Sequence, residues 1–390
     1  MDVEFSAEQE ALRASVRRFL SERAGITYVR SLWDDPVGTT AEVWDGLVKL
    51  GLTGLLVPVR HGGTGAGMVE AGVVLEEMGR LVHPGPYLAT AISAAGLLAE
   101  LDREAASPPA RANVDTTSVA ELLSSICSGS AVAVALHEPG QRSEWRMPAT
   151  SFSPSTTAGI VRVSGRKLWV MNGIGANTLL VSGHDEHDEL CLAAVDPAAS
   201  GVNIERQPTV DGTRQFAEVT FTAANGRLVA KGDAAEHAVG CMVDLTAIAL
   251  AVDGVGAAEQ VLGLAVEYAK QRHQFGVPIG SFQAIQHLCA DMLRDLEMGR
   301  AATYYGLWAC DAATRGAITV AERHRAATMA KAFTSDAFER VGASAIQVFG
   351  GIGFTWDHDA HLYYKRFLTL QHAFGGTREH LEELARLVVD

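Results

Sequence analysis

The sequence predicts an α+β chain: a helical N-terminal part, a central β part and a C-terminal four-helix bundle. Three observations carry this reading. The first residues space their apolar side chains at helical intervals. Between about Ala131 and Leu228 the pattern changes to short β-branched runs bounded by turn residues. From Glu236 onward, long helical periods return. The chain's 390 residues suggest two or three packed units, and the pattern changes put the boundaries at 1–128, 129–232 and 233–390.

The opening helix follows from Leu12, Val16, Phe19 and Leu20, with Ser6 and Gln9 spaced as a capping box at its start. Further helical pattern runs through Val43, Leu47, Val48 and Leu50, and again from Val69 to Met78. The glycine-rich stretch His61 to Gly67 between them reads as a turn, because glycine reaches positive φ without steric penalty. From Arg103 to Thr117 the periodicity is lost, which predicts an exposed connection.

In the central part the runs AVAVALH, GIVRVSG, NTLLVSG, ELCLAAV and FAEVTF predict strands of a compact β domain. Beyond it, Leu262, Ala265, Val266 and Ala269 share one helical face, and Ile285, Leu288, Cys289 and Met292 share another. Met329, Phe333, Ala337 and Val341 recur every four residues and are expected to face the bundle interior, which the segment Leu370 to Val389 closes.

Composition narrows the function classes. A formal charge of −14 disfavours general attraction to nucleic acid or an anionic membrane, since both need a concentrated basic surface. A local basic pocket for phosphates stays open. No uninterrupted apolar run reaches the roughly 18 to 20 residues that span a bilayer. The first residues lack the basic front and apolar middle of a secretory signal, so a cytoplasmic protein is expected. Five scattered cysteines with no CxxC pair predict reduced thiols and no metal site.

Two longer motifs are more specific. The stretch YAKQRHQFGVPIGSFQAIQHLCADM, Tyr268 to Met292, resembles the RxQFG signature of the acyl-CoA dehydrogenase family, and IQVFGGIGFTWDHDAHLYYKR, Ile346 to Arg366, resembles that family's QxxGGxGF segment. KLWVMNG is similar to its KxWITNG, and ALHEPGQRS to its TEPGAGS loop. The resemblance covers nearly the whole chain. It implies FAD as cofactor, an acyl-CoA thioester as substrate, and α,β-dehydrogenation in which a carboxylate removes the α-proton while a hydride leaves the β-carbon for the flavin.

The resemblance also assigns roles. Arg272 would reach across a dimer interface to the FAD pyrophosphate, a task for which planar paired donors are suited. Phe275 would pack on the cofactor with Gln283 nearby. Gln347, Gly350 and Gly351 would meet the adenosine part, and Trp169 would lie against the isoalloxazine ring. Thr377 belongs to the same cofactor-contacting set. Glu138, Pro139 and Gly140 fall in register with the TEPG loop, Ser143 with a serine touching the pantetheine or phosphate region, and Asp244 with an aspartate bordering the CoA channel. Residue by residue, other readings stay open: a helix-end arginine, a helix-ending glycine turn, a core tryptophan, a solvated helix-start carboxylate.

The pattern breaks at the base. Most of the family carries a glutamate immediately before Gly-Thr, where this chain reads Phe374, Gly375, Gly376, Thr377. A minority carries it on the first bundle helix, at the position of Thr246. Neither glycine nor threonine is a carboxylate base. The threonines that resemblance would put beside the flavin are replaced by Met171, a weak acceptor, and by His137, which is bulkier and able to carry charge. Stand-ins to consider are His137, His372, Asp253 and Asp244. The residues the family lends across an interface are all present. This split is similar to heteromeric acyl-CoA dehydrogenases of actinobacterial sterol side-chain breakdown, in which a catalytic chain pairs with a related chain lacking the base. The expectation is therefore an FAD-dependent dehydrogenase acting as a homodimer or homotetramer, or a partner subunit in a heterotetramer. Electron-transfer flavoprotein is a possible acceptor, and a flavin-free acyl-CoA-binding relative is a third reading.

Overall fold

The structure is a computed structural model that describes residues 5–106, 112–140 and 145–389. Helices α1 (Ala7–Arg23), α2 (Ile26–Ser31), α3 (Ala41–Lys49), α4 (Met68–Arg80), α5 (Ala95–Glu104) and α6 (Thr116–Cys127) come first. Strands β1 (Val132–Ala135), β2 (Ser151–Pro154), β3 (Ile160–Met171), β4 (Thr178–His184), β5 (Leu190–Val195), β6 (Val202–Gln207) and β7 (Phe216–Lys231) follow. The helices α7 (Asp233–Gln271), α8 (Gln283–Thr314), α9 (Val320–Phe349), α10 (Ala360–His372) and α11 (Thr377–Val389) complete the fold, with the short strands β8 (His273–Gln274) and β9 (Val277–Pro278) between α7 and α8. Helical, β and helical parts thus succeed one another as the residue pattern predicts.

Two compact units form, each from non-consecutive stretches. One holds residues 1–31, 68–83 and 247–390; the other holds 32–67 and 84–246. In the first, the capping box at α1 is present: the Gln9 N–H donates to Ser6 Oγ at 3.2 Å and the Ser6 N–H to Gln9 Oε1 at 2.9 Å. Helix α4 crosses α7 at backbone contact. A Cβ on Gly256 would lie 1.9 Å from the Glu76 carbonyl oxygen, and one on Gly79 would lie 2.1 Å from that of Asp253, so only glycine permits this approach. Phe338 fills the space beside Gly254 and Gly299 and packs on Phe367, ring centroids 6.1 Å apart. The four-residue recurrence on α9 is half right. Ala337 and Val341 are buried, but Met329 is 41% exposed, because Ala326, Ala330 and Phe338 form the inward face instead.

Helix α7 is long and apolar enough to cross a bilayer, but most of that apolar stretch is buried, as in a core helix. One of its charges, Asp253, is wholly buried beside Arg366, Oδ2 to Nη1 3.4 Å. The Arg366 guanidinium also donates to the His83 carbonyl at 3.0 Å.

In the second unit β5 pairs with both β7 and β4, so the order β4-β2-β3-β7-β5 closes on itself, with β1 added parallel to β4 and β6 antiparallel to β7. Alternate residues such as Val163, Leu179, Val181, Val219 and Phe221 fill the interior. All five expected runs are strands. Two more, β2 and β6, escaped the pattern: β2 has four residues and only Phe152 among them is buried, and β6 is mostly polar. A π-helical turn, Leu88–Ala94, leads into α5 and meets β1, where Thr90 Oγ1 donates to the Val132 carbonyl at 3.1 Å.

Candidate cofactor and substrate residues

In the first unit, β8 and β9 form a two-residue hairpin whose central residues, Phe275 and Gly276, have φ of 52° and 80°. Positive φ at both positions is the pattern of a type I′ turn, which matches the twist of paired strands. It costs a non-glycine residue strain, and here it lifts Phe275 almost wholly out of the protein, at 93% exposure, with Phe282 edge-on at 6.1 Å. Arg272 lies between the last residue of α7 and this hairpin. Its guanidinium is exposed and makes no hydrogen bond or ion pair among the described residues.

The glycine turn lies beside it. Tyr268, one turn before Arg272, packs on Phe349 with centroids 5.1 Å apart, and Gly350 follows at φ 63°. Gln347, Gly350 and Gly351 are exposed, and a Cβ on either glycine would meet nothing within 4 Å. The turn is therefore open, and it caps α9: the Gly350 N–H donates to the Ile346 carbonyl. Arg30 fixes the loop beyond, donating to Asp359 Oδ1 at 2.7 Å and to the Trp356 and His358 carbonyls at 2.8 and 3.0 Å. So the fold joins Arg272 and the Gln347–Gly351 turn. Gln283, the first residue of α8, is exposed as well.

The position that the resemblance gives to a catalytic glutamate lies in a left-handed turn. Phe374 and Gly375 have φ of 57° and 92°, and a Cβ on Gly375 would lie 3.0 Å from His380 Nε2. The ammonium of Lys331, wholly buried, donates to the carbonyls of Leu370 and Gly375, each at 2.8 Å, and to Ser335 Oγ at 2.9 Å. Thr377 opens α11 with its hydroxyl donating to the Ala332 carbonyl at 3.1 Å. Of the stand-ins in this unit, His372 is exposed and Asp253 is committed to Arg366. Lys331 and His380 escaped the sequence reading, since only the folded loop brings them to Gly375.

In the second unit the β3–β7 register slips between Lys167 and Val170, a bulge that turns Trp169 outward at φ 55° and 49% exposure. The Trp169 N–H donates to Gln207 Oε1 at 2.6 Å, and its ring meets Phe216 edge-on at 6.2 Å. Trp169 is thus displayed, not a core tryptophan. Met171, two residues on, is buried.

Burial, helped by the charge on Lys167, pushes the His137 imidazole down to about 4, so it is neutral near pH 7 rather than charged as the sequence left open. Glu138 is structural: it is paired with Lys167 Nζ at 2.6 Å and accepts from the Thr150 N–H and hydroxyl at 3.0 and 2.6 Å. Pro139 and Gly140 are exposed beside it. Asp244 is buried, which removes its reading as a solvated helix-start carboxylate. Thr246 is wholly buried with its hydroxyl 2.8 Å from Ser93 Oγ. Ser143 lies outside the described residues.

Comparisons with known proteins agree with these motifs. Residues 6–105 match the acyl-CoA dehydrogenase N-terminal domain family and residues 237–388 the acyl-CoA dehydrogenase C-terminal domain family. The chain is 30% identical over 360 residues to acyl-CoA dehydrogenase IpdE2 of Mycobacterium tuberculosis, covering 92% of this chain and 90% of the relative. Among solved structures it is similar to a variant of the steroid ACAD Tcur3481-Tcur3483, with 28% identity, a TM-score of 0.84 and 98% of each chain covered. Butyryl-CoA dehydrogenase from Megasphaera elsdenii, 20% identical with a TM-score of 0.84 over all of both chains, shares the fold.

Proposed function

The chain belongs to the acyl-CoA dehydrogenase family, and on that premise we propose that it works in FAD-dependent α,β-dehydrogenation of a bulky, steroid-type acyl-CoA thioester within an assembly of related subunits. The observation that carries the reading is the pairing of an unneutralised Arg272 with the open Gln347–Gly351 turn, joined through Tyr268 and Phe349. A guanidinium, an amide and side-chain-free backbone are the donor set that a nucleotide diphosphate needs, so the residues fit FAD. Arg272 would hold the pyrophosphate, Gln347 and the glycine turn the adenosine end, and Phe275 and Gln283 would cover it. Trp169 would wall the ring, with Met171, His137 and Thr377 near it, while Ser143 and Asp244 would meet the acyl-CoA. When bound, FAD supplies the acceptor for the substrate hydride. The chain's own part is to bind, orient and keep water away. The substrate class is supported by one similar structure, described as a steroid ACAD, at 28% identity. A cytoplasmic site of action is part of the same proposal.

A second reading makes this chain the partner that completes another subunit's flavin site. It is favoured by one observation: neither base position holds a carboxylate, and both are built into other contacts, Gly375 under His380 and Thr246 on Ser93. Both readings are tested by measuring flavin content and mass of the purified protein, alone and co-expressed with a related dehydrogenase chain. Yellow protein whose flavin bleaches with a steroid-type acyl-CoA under anaerobic conditions supports the first reading. Flavin acquired only in the mixed assembly supports the second, and colourless protein in every assembly overturns both.

A further inference from the structure

The loop from Phe374 to Gly376 is held from beneath by two side chains that belong to other parts of the bundle. The fully buried Lys331 side chain, on α9, donates to the carbonyls of Leu370 and Gly375, the residues on either side of the end of α10. His380, in the second turn of α11, lies with Nε2 3.0 Å from the Phe374 carbonyl. Together they gather the carbonyls of Leu370, Phe374 and Gly375 around the end of α10, where helix carbonyls must find partners outside the helix. The consequence is a backbone with positive φ at two successive residues, and the imidazole stands 3.0 Å from the point where a side chain at 375 would begin. An L side chain there meets two obstacles at once: a left-handed backbone and a neighbour that its own hydrogen bond holds in place.

Resting on the reading above, we propose that Lys331 and His380 are positioning residues that lock the Phe374–Gly376 loop in a form where a side chain at 375 would be strained by its backbone and pressed against the His380 ring. The proton-abstracting carboxylate of the reaction therefore comes from another position or another chain. Gly375 is then more than a lost glutamate. Restoring the glutamate alone conflicts with the loop that now surrounds it. Burial drives both groups toward their neutral forms, the Lys331 amine down to about 7 and the His380 imidazole to about 4. At neutral pH His380 has one N–H, and the structure directs that edge of the ring at Phe374.

The test is a set of variants of the full chain, read without any acyl-CoA. Gly375→Glu and Gly375→Ala should each lower the thermal unfolding midpoint by several degrees. Combining either with His380→Ala should give less than the sum of the two separate losses, since the contact is removed once. Amide exchange over 374–377 separates locking from mere packing. His380→Leu, which keeps bulk and loses the donor, should speed exchange about tenfold, and His380→Gln, which can still donate to the Phe374 carbonyl, should restore most of the protection. A Gly375→Glu protein with the parent's midpoint, additive losses in the double variants, or equal exchange in the Leu and Gln variants would each overturn the proposal. Because no flavin or substrate enters these measurements, failure of the lock is distinguishable from failure of the functional reading, which flavin content decides.

Discussion

Lys167 Nζ lies 2.6 Å from Glu138 Oε1 inside the β unit, where both side chains are buried. The lysine also donates to the Leu136 carbonyl and to Ser182 Oγ, at 3.1 and 3.0 Å, so one ammonium ties β3 to β4 and to the loop after β1. A pair this deep is costly to break from one side. Glu138→Gln should destabilise the protein by roughly 3–5 kcal/mol, because it leaves a buried cation without its counter-charge. Chemical denaturation measures it, and a loss below that of an ordinary surface substitution would refute the structural role.

The same pair gives a pH dependence. Burial lowers the Lys167 amine from 10.5 to about 8, against the pull of Glu138. Between those values the unfolded chain holds a proton that the folded chain has released, so this group's contribution to stability rises with pH from about 8 to 10.5. The Glu138 carboxyl shifts the other way: burial raises it, but attraction and hydrogen bonds from Lys167 and Thr150 outweigh this and hold it below 4.5. Its stabilisation is present above that value and is lost as pH falls through the folded one. Melting curves of parent and Lys167→Met should approach each other at the acidic end, where the Glu138 carboxyl is protonated in both, and separate as pH rises above about 8.

Asp253→Asn removes the counter-charge of Arg366, which is fully buried. A loss of about 3–5 kcal/mol is expected, with flavin affinity unchanged in the protein that remains folded. A variant as stable as the parent but inactive would instead identify Asp253 as a catalytic carboxylate.

Gln207→Ala withdraws the acceptor that holds the bulged Trp169 backbone. Losing one hydrogen bond of about 1 kcal/mol should weaken FAD binding several-fold and shift tryptophan emission, while Gln207→Glu, which keeps an acceptor oxygen, should preserve both. Unchanged emission in the alanine variant would show that Gln207 does not position Trp169.

Arg272→Ala should leave the melting temperature nearly unchanged, since the side chain is exposed and pairs with nothing among the described residues. FAD retention should fall by about tenfold or more, and Arg272→Lys should recover only part of it, because a point charge lacks the paired planar donors. Equal retention in all three proteins would remove Arg272 from the cofactor site.

The sequence by itself determined whatever depends on near neighbours along the chain: the capped α1, the apolar periods of α7 to α9, five of the strands, and the motif residues Arg272, Gln347 and Trp169. Helix and strand periods and a capping box are written within a few residues of one another, so they can be read before the chain is folded. That glycine and threonine stand at Gly375 and Thr246, where the resemblance puts the carboxylate, was equally visible, because residue identity is a local fact. What tertiary structure decided depends on residues far apart in the chain. It put Lys331 and His380 around Gly375, gave Asp253 to Arg366 and Glu138 to Lys167, turned Trp169 outward on Gln207, and set Met329 facing out while Phe338 faced in. Such pairings have no signature in spacing, since burial and partner are properties of the packed interior, and these decide whether a charged group is a catalyst or part of the frame.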